Sequence, residues 1–400
     1  MAQMETTISH ASSAWTRNQK ILIFSLTLLT FSLGTSEFVI VGLLPDMALS
    51  LGVSLAQAGA LVSGFALAYA LGTPFAIAVT SRFPRRIAMP VLIAIFILGN
   101  LLSALVSDYT FLMGTRIITA LVSGVLVTLA LSIGSEEAPP HKRGAAMAFI
   151  FAGFSFASVF GVPLGTFIGQ LGGWPLAFWL NVVLGVIVLV LLLPQTTERP
   201  PVEQKPFFSQ FALLKEPSLL VAFGIPVTAM AGTYVIYTYI SPIFLEVTGI
   251  KEAYVGAVLL LYGLATIFSN LYSGRIADGR SFQALKVTFL LQALALALFY
   301  VTAPFLIVGL INLMVIGFFC YLFNGAVQLY LMQVAEKKLP HAKDLAASLL
   351  PVSANFGIAI GSAIGGLVAT NIGLVHTTWV GAIFIFLSFL LTTLLLKVRI

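Results

Sequence analysis

Apolar residues run along this chain in blocks of roughly 20, separated by short stretches carrying charge, proline or glycine. A block of that length crosses the ~30 Å hydrocarbon core of a bilayer as a helix, whereas a helix at the surface of a soluble domain interleaves polar positions with a period of about 3.6. The blocks predict twelve membrane-spanning helices, at residues 21–44, 55–80, 87–107, 109–134, 144–170, 174–194, 218–245, 253–274, 284–303, 305–334, 344–370 and 374–396. Between the sixth and seventh, Gln195 to Pro217 is rich in proline and charge and reads as a linker. The expected layout is a polar tail (1–20), a six-helix half (21–194), the linker (195–217) and a second six-helix half (218–400). The first block is too long for a signal-peptide core, and no small-residue cleavage site follows, so it reads as a retained span. The fold class predicted is an all-α membrane protein with twelve transmembrane helices in two pseudo-symmetric halves.

Composition agrees: 59% of the 400 residues are hydrophobic and 8% charged, against about 25% charged in soluble domains. The formal charge of +6 does not point to nucleic acid, because the basic residues sit in short clusters between blocks. Arg17, Lys20, Arg82, Arg85, Arg86, Lys142, Arg143, Arg199, Lys205, Lys215, Arg275, Arg280, Lys286, Lys337, Lys338, Lys343, Lys397 and Arg399 all fall in even-numbered connections or at the termini. Only Lys251 falls in an odd-numbered one. Basic loops stay on the cytoplasmic side, so the expectation is a multi-pass protein of the inner (plasma) membrane with both termini in the cytoplasm. Cys320 is the sole cysteine, and His10, His141, His341 and His376 are scattered, so neither a disulfide nor a metal cluster is expected.

One acid breaks the apolar pattern. Glu37 lies about two-thirds of the way along the first block, in F-S-L-G-T-S-E-F-V-I-V-G-L-L-P from Phe31 to Pro45. An ionisable residue inside a membrane is expensive and commonly marks an ion or substrate pathway. Glu37 is about seven residues from the outer end of its block, or ~10 Å at 1.5 Å per residue. Arg116, in M-G-T-R-I-I-T-A-L-V-S-G, lies at a similar depth in the fourth block. The two are candidate partners: as a proton-exchanging pair, in which burial and the guanidinium oppose each other in setting proton affinity, or as an ion pair that only locks two helices.

Other polar positions form a second tier of candidates. In the fifth block Gly161, Gly165 and Gly169 share one helix face and permit close packing, and Pro163 frees a carbonyl among them. The pattern is repeated by Gly361 and Gly365 in the eleventh block, which fits two related halves around a midplane site. The turn Ser81 to Arg86 carries Arg82, Arg85 and Arg86, and Asp278 stands in the matching loop of the second half. Tyr234, Tyr237, Tyr239, Tyr262, Asn270, Asn324, Gln328 and Asn355 place aromatic faces and amides inside second-half blocks. A largely apolar cavity with a few such groups suits a modest-sized organic molecule, although each amide also serves simply as a helix–helix contact. No nucleophile elbow, phosphate-cradling loop or zinc spacing is present, so neither an enzyme nor an ATP-driven pump is expected.

Taken together, these stretches resemble the major facilitator superfamily, and within it the twelve-span drug:proton antiporter family, over nearly the whole chain. The likeness is greatest to bacterial sugar-efflux, arabinose-efflux-like and purine-efflux permeases. G-T-S-E-F-V-I-V-G-L-L-P is similar to the family's first-helix signature, R-I-I-T-A-L-V-S-G to its fourth-helix motif and G-V-P-L-G-T to its antiporter motif. The resemblance implies the major facilitator fold and proton-coupled export, with Glu37 and Arg116 in proton coupling. It also implies gating roles for Gly161, Pro163, Gly165, Arg82, Arg85, Arg86 and Asp278. Substrate contact is expected from Tyr234, Tyr237, Tyr262, Asn324, Gln328 and Asn355. The loop after the second span departs from the family's G-x-x-x-D-R-x-G-R-R, because Ile77, Ser81 and Pro84 stand where it has glycine, aspartate and glycine. The expected partners are a small-molecule substrate, protons and the lipid bilayer, with no nucleic acid and no cofactor, and the expected state is a monomer. An importer on the same scaffold, or a receptor that does not transport, are the alternatives that the residues alone leave open.

Overall fold

Twelve helices long and apolar enough to cross a membrane form among the described residues of this computed structural model. Those residues are 15–80, 82–139, 142–195, 216–277, 281–338 and 343–398. The helices are span 1 (Arg17–Leu51), span 2 (Leu55–Ile77), span 3 (Arg85–Leu105), span 4 (Tyr109–Glu137), span 5 (Ala146–Gly172) and span 6 (Pro175–Gln195). The second half holds span 7 (Pro217–Tyr237), span 8 (Glu252–Ile276), span 9 (Phe282–Thr302), span 10 (Leu306–Lys338), span 11 (Ser348–Asn371) and span 12 (Leu374–Lys397). Large apolar side chains such as Leu67, Phe75, Phe160, Leu171 and Leu298 point outward from the bundle. That arrangement is stable only against lipid, where apolar exposure carries no hydration cost.

Span 1 begins at a capping box, with Gln19 N–H donating to Thr16 Oγ1 (3.2 Å) and Thr16 N–H to Gln19 Oε1 (3.1 Å). It ends at Gly52, whose φ of 65° lets the chain leave the helix. The helix therefore runs 35 residues and continues through Pro45, past the end at residue 44 that the sequence pattern predicts. Pro45 has no N–H to give to the carbonyl four residues earlier, that of Val41. Ser241, from the second half, donates its hydroxyl to that carbonyl at 2.7 Å. The bond that proline removes is thus replaced across the molecule, and the helix has no need to stop.

Glycine ladders hold each half together. In span 5, Gly161 faces Thr35, Gly165 faces Val39 and Gly169 faces Leu43, so the stripe packs against span 1. In span 11, Gly357, Gly361 and Gly365 meet the backbone of span 7 at Val227, Ala231 and Val235. The same packing in both halves accounts for the sequence echo. Span 5 is not a uniform helix: Arg143–Phe156 leads into a π-helical turn, Ala157–Gly161, before Val162–Gly172. The turn lies just ahead of Pro163, which supplies no N–H to close a regular turn there.

The halves meet along spans 2 and 11, spans 5 and 8, and span 1 with the Ile240–Pro242 segment that follows span 7. The Tyr239 ring fills the space left by Gly59 and Gly366, and its hydroxyl donates to the Ser362 carbonyl at 2.9 Å. Gln170 donates to the Glu252 carbonyl at 2.9 Å. Nearer the middle, Gly263 of span 8 lies directly against the π-helical turn of span 5.

Candidate functional site

Arg116 is fully buried, yet its guanidinium does not form an ion pair with the Glu37 side chain. Nη1 donates to the Ser36 carbonyl at 2.7 Å and Nη2 to the Glu37 carbonyl at 3.1 Å. The direct charge pair expected from the sequence is replaced by a contact between charge and backbone. The reason is geometric: a helix carbonyl keeps a second lone pair after its helical bond, and the planar fork of donors spans two successive carbonyls. The guanidinium carbon sits 4.2 Å from the Phe65 ring centre of span 2 and 6.0 Å from that of Phe178 in span 6, so the charge is also held by ring faces. Ser36 is fixed in turn, its hydroxyl donating to Asn100 Oδ1 at 2.8 Å.

Glu37 is 5% exposed. Among the described residues no ion pair or hydrogen bond engages its carboxylate. Arg116, Tyr69, Tyr234 and Tyr321 lie within electrostatic reach of it. Because span 1 extends to Leu51, Glu37 is about 21 Å along the helix from that end. It still meets Arg116, since span 1 projects beyond the start of span 4. The longer helix also takes in a second acid, Asp46, which is half-buried and within hydrogen-bond reach of Glu252 of the second half.

Across from Glu37, span 10 is broken. Leu306–Phe319 and Asn324–Lys338 are helical, and the four residues from Cys320 to Phe323 form a turn between them. Ser269 of span 8 accepts the Tyr321 N–H at 2.8 Å. Irregular backbone at membrane depth persists where protein satisfies it, and broken helices mark many midplane sites. Around this break the Tyr237 and Tyr262 rings stack with centres 4.6 Å apart, and Tyr234 meets Tyr237 edge-on at 5.4 Å. Phe38, next to Glu37, lies 6.1 Å from Tyr234. The polar ends of Tyr321 and Tyr234 lie beside each other, as do those of Tyr237 and Ser158 of span 5, and Cys320 sits beside Tyr262 and Thr233.

Of the residues expected to touch substrate, the structure therefore gathers Tyr234, Tyr237 and Tyr262 into one cluster. Asn324 donates to Asn270 Oδ1 at 3.0 Å, and Asn270 donates across the halves to Ser155 at 3.2 Å. Gln328 is half-buried one turn further along. Asn355 stands apart on span 11, its Nδ2 donating to the Pro351 carbonyl and its buried Oδ1 without a partner. The antiporter-motif residues Gly161 and Gly165 face span 1, inside their own half. Arg85 bonds both carboxylate oxygens of Glu136 at 2.7 and 3.0 Å, also within one half, while Arg82 and Arg86 are exposed. Ser81 and Asp278 lie outside the described residues.

Sequence reasoning missed Phe38, Phe65, Tyr69, Phe178, Cys320 and Tyr321. A signal for the last two was present: Gly317 and Gly325 bracket F-F-C-Y-L-F-N, the kind of interruption that marks a broken span.

Comparison with known proteins fits this architecture. A family model described as Major Facilitator Superfamily matches residues 26–342 and 228–399. The MFS-type transporter YtbD of Bacillus subtilis (strain 168) is 34% identical over 373 residues, covering 92% of this chain and 94% of its own. A chloramphenicol resistance protein of Streptomyces lividans is 30% identical over 274 residues, 66% of this chain and 69% of its own. Among solved structures, the inward-facing, occupied form of a bacterial homologue of the human lysosomal transporter Spinster matches with a TM-score of 0.76. That match has 17% identity and covers 96% of this chain and 98% of that one.

Proposed function

Because the chain belongs to the Major Facilitator Superfamily, we propose that it exports a small organic molecule across the plasma membrane in exchange for protons. The observation that carries this reading is the Glu37 carboxylate, buried without a partner at the meeting of the halves while a guanidinium beside it is committed to backbone. An acid held in that way has no structural bond to break when it gains or loses a proton. A permanent ion pair would have engaged the carboxylate itself. Arg116 sets the local potential without occupying the proton site, and the tyrosines of the second half supply the surface on which a substrate lies. The resistance function named for the Streptomyces lividans relative favours export over import. With both termini cytoplasmic, as the basic loops suggest, the bonds near Pro45 and Gly59 close the outer end.

The energetics suffice. Moving one charge through 100 mV releases about 2.3 kcal/mol. At about 1.4 kcal/mol per tenfold, one proton sustains a roughly fortyfold outward gradient of a neutral solute before any pH difference is added. The test uses inside-out membrane vesicles with an acidified lumen and three solutes: chloramphenicol, arabinose and inosine. Accumulation of at least one, lost on collapsing the pH difference and lost in Glu37→Gln, is the expected result. Undiminished accumulation by Glu37→Gln removes the acid from the mechanism, and flux of the opposite sign makes the protein an importer.

A further inference from the structure

Span 8 carries two neighbouring polar residues, Ser269 and Asn270, that reach in different directions. Successive residues of a helix point about 100° apart, and span 8 packs against both span 10 of its own half and span 5 of the other. Ser269, fully buried, accepts the Tyr321 N–H at 2.8 Å and so satisfies a backbone group that the break in span 10 leaves free. Asn270 makes two bonds at once. Its Oδ1 accepts from Asn324 Nδ2 at 3.0 Å, at the first residue of the helical segment that resumes after the break. Its Nδ2 donates to Ser155 Oγ of span 5 at 3.2 Å, just ahead of the π-helical turn Ala157–Gly161. The seam between spans 5 and 8 therefore has the Gln170 bond to Glu252 at one end, the close approach at Gly263 in the middle and Asn270 toward the other end.

A side-chain amide is a rigid plane with its acceptor on one arm and its donors on the other, so fixing the nitrogen fixes where the oxygen points. While Ser155 holds Nδ2, Oδ1 stays aimed at Asn324, and the break keeps both of its bonds to span 8. When spans 5 and 8 part, Nδ2 loses its acceptor and the amide turns to find another. Asn324 is then left without the oxygen that ties down the start of its helical segment. We infer that Asn270 couples the contact between the halves to the shape of span 10: the turn from Cys320 to Phe323 is held while Ser155 is bound and loosened when it is not. That turn carries Tyr321, whose polar end lies beside that of Tyr234, so a contact with the other half shapes the wall that faces Glu37. The coupling belongs to the fold and holds whatever molecule or ion the protein carries. Lying between two sites does not by itself make a residue a coupler, so the measurement must show that Ser155 and Asn324 act through one another.

The break contains its own reporter. Cys320 is the sole cysteine of the chain and is 1% exposed, so its thiol reacts when the turn opens. The experiment is the rate at which N-ethylmaleimide labels Cys320 in the purified full chain in detergent. It is measured for the native chain, Ser155→Ala, Asn324→Ala and the double variant. Ser155→Ala, a change in the other half, should speed labelling by about fivefold, as loss of one neutral hydrogen bond does, and Asn324→Ala by at least as much. The double variant should label no faster than Asn324→Ala alone, because both changes interrupt one chain of bonds. Ser155→Thr, which keeps a hydroxyl, should stay within about twofold of the native rate. A native rate in Ser155→Ala overturns the inference. So does a double variant in which the two factors multiply to about 25-fold, since Ser155 then acts by uncovering the thiol as the halves part and not through Asn324. If Ser155→Ala is not monodisperse, Ser155→Gly takes its place in the same cycle and is read in the same way.

Discussion

Gly263 is the place where adding a single methyl group should change the shape of this molecule. A Cβ built there comes 2.7 Å from Val159 Cα and 2.8 Å from the Ser158 carbonyl oxygen. Both are backbone atoms of the π-helical turn in the opposite half, so no rotamer change relieves the clash. Overpacking of this kind costs about 1–3 kcal/mol. Because the contact crosses between halves, the cost falls on the arrangement seen here and vanishes in one where spans 5 and 8 separate. Gly263→Ala should therefore move the balance between the two by roughly 5- to 150-fold. The readout is cross-linking by a short bifunctional thiol reagent between Gln170→Cys and Glu252→Cys, introduced in a Cys320→Ser background. Those positions touch across the halves. The yield should fall at least about fivefold with Gly263→Ala. Gly274, in the same helix but with nothing within 4 Å of its would-be Cβ, is the matched control, and Gly274→Ala should leave the yield unchanged. Native yield from a monodisperse Gly263→Ala would show that spans 5 and 8 do not separate, and the reasoning would fail.

Ser241→Ala should lower the same cross-linking yield by a smaller factor, since it leaves the Val41 carbonyl freed by Pro45 without its donor, a loss of about 1–3 kcal/mol; Ser241→Thr, which keeps a hydroxyl, should retain most of it. Arg116→Lys should unfold at a lower temperature in detergent than the native chain, because an ammonium cannot bridge two carbonyls and lie flat on Phe65 at once, and charged hydrogen bonds contribute about 1.5–3 kcal/mol each. An unchanged unfolding temperature would mean that the contact with the Ser36 and Glu37 carbonyls does not hold spans 1 and 4 together.

The helical layout was legible because membrane burial imposes a coarse rule, apolar length, that composition alone reveals. The glycine echo between spans 5 and 11 was legible for a related reason: close helix approach tolerates few residue types. The partner of Arg116 was not. A guanidinium and a carboxylate at matching depth look complementary in one dimension, but the sequence carries no sign that the backbone of span 1 turns two carbonyls toward span 4. The break at Cys320 to Phe323 was masked by apolarity, since a hydropathy block looks the same whether or not the helix inside it is continuous. Pro45 misled in the opposite direction. Read locally it ends a helix, and only the remote Ser241 hydroxyl makes it an interior residue.

These departures from regular helix share a location, and the location has a mechanical consequence. Pro45 in span 1, the π-helical turn before Pro163 in span 5 and the turn after Tyr237 in span 7 all lie where the halves meet; the break in span 10 faces Glu37. Within lipid every backbone polar group needs a partner, so such irregularities persist only where protein supplies one. Here the partners are hydroxyls, Ser241 for the Val41 carbonyl across the halves and Ser269 for the Tyr321 N–H within the second half, and Asn270 adds a side-chain bond to Ser155 across the halves. A neutral bond of that kind contributes about 1 kcal/mol net, and a hydroxyl or amide that loses one partner turns readily to another or to water. The contacts within each half are of another kind, glycine ladders that seat side chains of span 1 against span 5 and the backbone of span 7 against span 11, and they yield little without local unfolding. Stiff contacts inside the halves and exchangeable ones between them suit the proposed rocking of two bodies about Glu37, and the cost of that motion would then be set by a few hydroxyl bonds and the space beside Gly263.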